Sequence, residues 1–139
     1  MRIRRAGHND IRAIDAVLEQ LLPGDRVQRE AMWLLLLKDP SYTPWVAEDE
    51  GTVVGFLDLL IWPDVGHGRK VGLVNNLVVD ERARGRRLGT LLLEEAIRYC
   101  RQQDVVELHV WTEAGNERAL GLYKKLGFVD RGRLLEIVL

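Results

Sequence analysis

The chain has 139 residues, 47% hydrophobic and 29% charged, with a formal net charge of −1. That suffices for one domain with one sizeable core and leaves no room for two, and the near-neutral charge excludes a globally basic nucleic-acid binder. The single cysteine, Cys100, excludes an intramolecular disulfide and a cysteine-based zinc site.

The predicted elements follow in chain order. Arg2–Ala6 reads as a short first strand. Ile11, Ile14, Leu18 and Leu21 or Leu22 recur at helical spacing, after Asn9 or Asp10 as N-cap and before the stop Pro23-Gly24. A second helix runs from about Asp25 to Lys38 and is ended by Pro40. Strands follow at Val46–Glu48 and Thr52–Ile61, around a Glu-Asp-Glu-Gly turn. Pro63–Gly72 is a glycine-rich loop, and Leu73–Val79 is a strand. The next helix, from near Arg87 to Gln103, has Leu88, Leu91, Leu92, Ala96, Tyr99 and Cys100 on its apolar face. Val105–Trp111 is a strand. A last helix begins at Asn116 and ends at Gly127, where a left-handed residue is wanted. Phe128-Val129 and Arg133–Leu139 close the chain as strands. Two strand–helix–strand units, at residues 73–111 and 105–138, predict a mixed sheet covered on both faces. The longest apolar run, Ala31–Leu37, is too short to cross a bilayer. The first ten residues lack the apolar core of a signal peptide. The expectation is therefore a cytoplasmic protein, folded as a single domain over residues 1–139.

Charge is concentrated at one place. Arg82, Arg84, Arg86 and Arg87 fall within six residues, at a strand-to-helix turn that also carries Gly85 and Gly89. A helix N-terminus offers unpaired N–H groups and partial positive charge, so it favours anions. With glycines permitting close approach, this turn suits a pyrophosphate. Neither a P-loop nor a G-x-G-x-x-G dinucleotide fingerprint is present. A solvated arginine face or a nucleic-acid patch is the competing reading. A second constellation lies downstream. Asn116 and Tyr123 are seven residues apart, close to two helical turns, and share a face with the small Ala119 between them.

These two segments together resemble the GNAT superfamily of acyl-CoA-dependent N-acetyltransferases. Arg84-Gly85-Arg86-Arg87-Leu88-Gly89 matches the family's [QR]-x-x-G-x-[GA] motif except that Arg87 stands at the inner glycine. Asn116, Ala119, Tyr123, Gly127 and Phe128 match N-x-x-A-x-x-x-Y-x-x-x-G-F throughout. The resemblance implies a mixed, mostly antiparallel sheet of six to seven strands with a parallel pair at its centre, flanked by about four helices. It implies acetyl-CoA as cosubstrate, with no metal, and a small-molecule or peptide amine as acceptor. Backbone groups of Leu77, Val78 and Val79 would pair with pantetheine, beside a β-bulge that splays the neighbouring strands. Backbone N–H groups from Gly85 through Arg86, Arg87, Leu88 and Gly89 to Thr90 would hold the pyrophosphate. Arg84 and Arg86 would add phosphate contacts, and Arg87 could add another. Asn116 would touch the pantetheine arm, and Tyr123 would lie near the thioester sulfur as the acid. Family members are often dimers, so a homodimer is an open expectation; neither nucleic acid nor membrane is expected as a partner.

A general base does not stand out. Similar enzymes often have a carboxylate where this chain has Asn75-Asn76, and Asp58, Glu107 and His109 are candidates acting through water. The resemblance places the acceptor beside the first two helices and the loop before the central strand. Trp33, Trp45, Trp62 and Trp111 are candidate lining residues there, with Asp25, Glu30, Asp58 and Asp64 as candidate attractors of a cationic amine. A CoA-binding module without turnover is the alternative function.

Overall fold

The computed structural model describes all 139 residues. Strands β1 (Arg2–Arg5), β2 (Tyr42–Asp49), β3 (Thr52–Asp64), β4 (Arg69–Val79) and β5 (Val105–Val110) form one sheet in the order β1-β2-β3-β4-β5. The helices are α1 (Ile11–Leu18), α2 (Arg26–Leu36), α3 (Leu88–Gln102) and α4 (Glu117–Lys125). Neighbouring strands are antiparallel except β4 and β5, which are parallel and joined through α3.

Alternation along the strands splits the core into two layers. Trp45, Ala47, Leu57, Leu59 and Val74 face α3, meeting Leu88, Leu92, Leu93, Ala96 and Cys100. Val46, Phe56 and Val78 face α1 and α2, meeting Ile14, Val17 and Trp33. Cys100 is a buried free thiol whose pKa burial raises to about 11, so it remains protonated and inert. The N-caps differ in use. Asp25 accepts from the Gln28 N–H at the start of α2. Asp10 precedes α1 without capping it and instead accepts from both terminal guanidinium nitrogens of Arg4, tying β1 to the helix.

The expected sheet of six to seven strands is corrected to five. The two closing strands do not form: residues 128–139 carry no regular structure. As a result, the parallel pair β4–β5 lies at the edge of the sheet rather than its centre. The predicted loop Pro63–Gly72 is mostly strand, with β3 reaching Asp64 and β4 starting at Arg69. Pro63 is tolerated because β2 pairs with β3 only as far as Leu60, so Pro63 has a ladder partner on one side alone.

Candidate active site

The site begins with a misregister. Asp58 of β3 pairs with Asn76 of β4, but the next residue, Leu59, pairs with Val74. Asn75 is therefore an extra residue, a β-bulge. Its effect shows in the packing. Val74 and Val78 are four apart and would share a face of a regular strand, yet they lie in opposite core layers. The bulge turns Leu77 and Val79 toward the α3 side.

The same bulge ends the pairing with β5. The β4–β5 ladder runs from Lys70↔Val105 to Val74↔Val110 and stops there. β4 continues to Val79 without a partner on that side. Main-chain groups alternate sides along a strand, and the Asp80 N–H donates to Val54 of β3, so Val78 in step with it faces β3 while the main-chain donors and acceptors of Leu77 and Val79 border an open gap between two parallel strands. Across it, just beyond β5, the Thr112 hydroxyl oxygen is buried without any hydrogen-bond partner. An orphaned buried polar atom calls for a partner, and an extended ligand with amides fits both walls of the gap.

At the end of β4 the chain turns through Asp80 and a 3-10 turn, Glu81–Ala83, into α3. Two of the four arginines are neutralised within the protein. Arg82 pairs with Asp80, and Arg86 with Asp49 at the end of β2. Arg84 and Arg87 are exposed and have no carboxylate partner. The six successive N–H groups from Gly85 to Thr90 have no acceptor in the protein; the ladder of α3 begins with Leu91 donating to the Arg87 carbonyl. Backbone donors, a helix N-terminus and two free guanidinium groups make a cradle for a polyanion.

Arg87 is the N-cap of α3, in the left-handed region at φ 62° and ψ 21°. It stands just outside the helix, and its conformation explains why glycine suits this position. An L-residue there costs about 1 kcal/mol. Arg87→Gly should therefore raise the melting temperature by a few degrees, as thermal unfolding will show. It should also weaken the binding of a polyanion at this turn several-fold, because the unpaired guanidinium is lost. Gly89 answers to a different constraint: a Cβ there would lie 3.3 Å from Leu122 Cδ2, so glycine lets α3 approach α4. Between the two helices runs a groove of about 690 Å³, lined by Arg87, Thr90 and Glu94 from the α3 side and Arg118, Gly121 and Lys125 from α4.

Asn116 caps α4, its Oδ1 accepting from the Ala119 N–H at 3.2 Å. Its side-chain NH₂ makes no bond within the protein. Tyr123 is 7% exposed and its ring packs edge-on against Phe128 at 5.8 Å. Burial pushes its phenol above the ordinary value of 10.0. Its hydroxyl has no protein partner, so it is a protonated donor left free. The structure thus brings Leu77–Val79, Gly85–Thr90 and Asn116 onto elements that border one gap and the groove beside it, and sets Tyr123 on the helix that forms a wall of that groove.

Other candidates fall elsewhere. Asp58 is 4% exposed and accepts from the Tyr42 hydroxyl at 2.8 Å, the Asn76 N–H at 2.8 Å and the Asn76 side-chain NH₂ at 3.1 Å to each oxygen. Its acceptor positions are filled. Glu107 bridges His67 and His109 on the surface. Trp33 and Trp45 are core, whereas Trp62 and Trp111 are 38% and 48% exposed. Asp25 is a helix cap, Asp64 holds His67, and Glu30 lies near Arg12 and Arg26. Thr112 went unnoticed in the sequence, because a threonine after a strand carries no signal until its burial is known.

The sequence profile of the acetyltransferase (GNAT) family matches residues 11–128. The chain belongs to that family. An uncharacterised N-acetyltransferase of Methanocaldococcus jannaschii is 30% identical over 100 residues, which cover 71% of this chain and 43% of that protein. The GNAT domain thus spans less than half the length of that relative. A putative acetyltransferase from Agrobacterium tumefaciens has the same fold, with a TM-score of 0.91 at 24% identity over 100% of both chains. The aminoglycoside N-acetyltransferase AAC(6')-Iy, solved in complex with CoA, superposes with a TM-score of 0.87 at 20% identity, covering 99% of this chain and 93% of that one. In this GNAT domain the motif residues lie around the opened β4–β5 pair. No helix is long and apolar enough to cross a membrane.

Proposed function

We propose that this GNAT domain transfers an acetyl group from acetyl-CoA to a primary amine. The observation that carries the reading is the continuity of the open β4 edge with the unpaired N–H cradle at Gly85–Thr90. An extended amide-bearing arm ending in a pyrophosphate has the order of chemistry that this surface offers. When bound, acetyl-CoA supplies an acyl group activated as a thioester.

The chain's own residues divide the work. Main-chain groups of Leu77 and Val79 hold the arm as an added strand, with Val78 committed to β3, and Thr112 and the free NH₂ of Asn116 meet its polar groups from the far wall. The N–H groups of Gly85, Arg86, Arg87, Leu88, Gly89 and Thr90 neutralise the pyrophosphate, with Arg84 and Arg87 adding charge. Arg86 is committed to Asp49 and orients the turn. An N–H near Leu77 or Val79 polarises the acyl carbonyl. Tyr123 keeps its proton at neutral pH and gives it to the departing sulfur. The attacking amine has an ordinary pKa near ~10 and must be neutral. With Asp58 saturated, the amine loses one proton to solvent before it attacks, and the proton that the nitrogen sheds on forming the amide leaves through solvent, which restores the Tyr123 phenol.

The test is thiol release from acetyl-CoA by the purified protein across a panel of polyamines, amino acids, aminoglycosides and short peptides. Amine-dependent release supports the transferase and names the acceptor class. A second reading, a CoA-binding module without turnover, is favoured by the saturation of Asp58. Stabilisation by acetyl-CoA without release for any amine would select it. Neither release nor stabilisation would overturn both.

A further inference from the structure

A cavity of about 370 Å³ opens between the start of α1 and the middle of α2, and the proposed reaction makes no use of it. Ile11, Arg12, Glu30, Trp33 and Leu34 are among the residues that line it. Trp33 is 3% exposed, and its indole Nε1–H is buried without an acceptor. One turn earlier on α2, Glu30 Oε1 is buried without a donor. Arg26 Nε at 3.7 Å and Arg12 Nε at 4.0 Å hold it at ion-pair range, beyond a hydrogen bond. Buried polar atoms are rarely left unpaired, and each calls for a partner.

The two needs are opposite. An indole nitrogen only donates, and a carboxylate oxygen only accepts. A ligand that meets both must carry an acceptor and a donor at the same end. One water does so, but its share of liquid volume is about 30 Å³, a small part of this space. The rest of the wall describes a larger molecule. Arg12 is exposed and shares its one carboxylate with Arg26, so its guanidinium can turn to a second anion. Ile11 and Leu34 offer aliphatic surface.

We propose that this cavity binds a free aliphatic α-amino acid as its zwitterion. The ammonium donates to Glu30 Oε1, the carboxylate accepts from the Trp33 Nε1–H and the Arg12 guanidinium, and the side chain lies against Ile11 and Leu34. The site is separate from the opened β4–β5 pair. α1 starts beside β1 and β2, where the Ala6 N–H donates to the Pro44 carbonyl, and β1 and β5 are opposite edges of the sheet. The core links the two sites. Trp33 packs edge-on against Tyr42 at 6.2 Å, and the Tyr42 hydroxyl donates to Asp58 at the bulge. An occupied cavity fixes Trp33 within the contacts that hold the bulge. Binding does not depend on the proposed reaction.

The test is a titration of the isotopically labelled full chain with L-leucine, without acetyl-CoA, read at the assigned tryptophan indole N–H signals. The Trp33 signal should move most. Isocaproate lacks the ammonium and isopentylamine lacks the carboxylate, and each should bind about tenfold more weakly or worse. L-leucine should bind Glu30→Gln about tenfold more weakly, because a charged acceptor becomes neutral. Trp33→Phe keeps an aromatic core residue, removes the donor and should weaken binding similarly. A Trp33 signal unmoved at millimolar L-leucine would overturn the proposal. Shifts at Leu77–Val79 with Trp33 unmoved would also overturn it and make the amino acid an acceptor at the gap. Equal binding of isocaproate or isopentylamine would overturn the zwitterion. Should Trp33→Phe fail to fold, the wild-type titration and the half-exposed Glu30→Gln still decide the matter.

Discussion

Replacing Tyr123 by phenylalanine should lower kcat for acetyl transfer about a hundredfold, the lower end of what a positioned acid supplies. KM for acetyl-CoA should change little, because the ring remains packed against Phe128. Stability should also change little, because the hydroxyl has no partner in the protein to lose. Burial raises the phenol above 10.0, so the wild-type kcat should lose activity to its ionisation only above that pH. The phenylalanine variant should lack that alkaline limb. Steady-state kinetics across pH, with thermal unfolding alongside, separate the three readouts. Unchanged kcat would remove Tyr123 as the acid.

Asp58→Ala should cost about 3 kcal/mol or more, the largest stability loss expected from one side chain near the site. It leaves the buried Tyr42 hydroxyl and both half-buried Asn76 donors without their acceptor. The melting temperature should fall by roughly 10 °C. The damage should extend to function. Asp58 accepts the Asn76 N–H immediately after the bulge, so it stands in for a ladder carbonyl where the register shifts. Without it the edge Leu77–Val79 loosens and KM for acetyl-CoA rises. Asp58→Asn keeps one oxygen for that N–H and should cost less.

The pH dependence of Asp58 runs opposite to that of a salt-bridged carboxylate. Desolvation holds its pKa above 3.8, winning over the hydrogen bonds from Tyr42 and Asn76 that lower it. As pH rises past 3.8 the unfolded chain releases this proton first, so Asp58's contribution to stability falls until pH passes its raised folded value, and is flat above. Below 3.8 both states are protonated and the contribution is constant. Asp58→Asn should remove this slope from denaturation measured at a series of pH values; a slope that persists would assign it to another group.

Much of this was legible from spacing alone. The Pro40 stop after α2, the apolar period of α3 and the Asn116 cap and Gly127 stop of α4 place those helices within a few residues, because caps and periodicity are local. The arginine-rich turn and the Asn116–Tyr123 helix are local too, and the structure sets them around one gap. The illegible parts depend on contacts distant in sequence. Arg86 looks like its neighbours until Asp49, 37 residues earlier, takes it. Arg87 looks like an inserted side chain until its left-handed backbone is seen. Asn75-Asn76 looks like a missing base, and instead Asn75 is the bulge and Asn76 its anchor to Asp58. The last seven residues read as a strand because they are mostly apolar and partly β-branched, but a strand is defined by its pairing, and these residues pair with no strand of the sheet.

The most direct test of the cofactor site is the backbone amide spectrum of the labelled protein, titrated with acetyl-CoA. The largest shifts should fall at Leu77–Val79 and Gly85–Thr90, with a smaller set at Thr112 and Asn116. Shifts confined to α1 and α2, or no shifts at saturating acetyl-CoA, would contradict it.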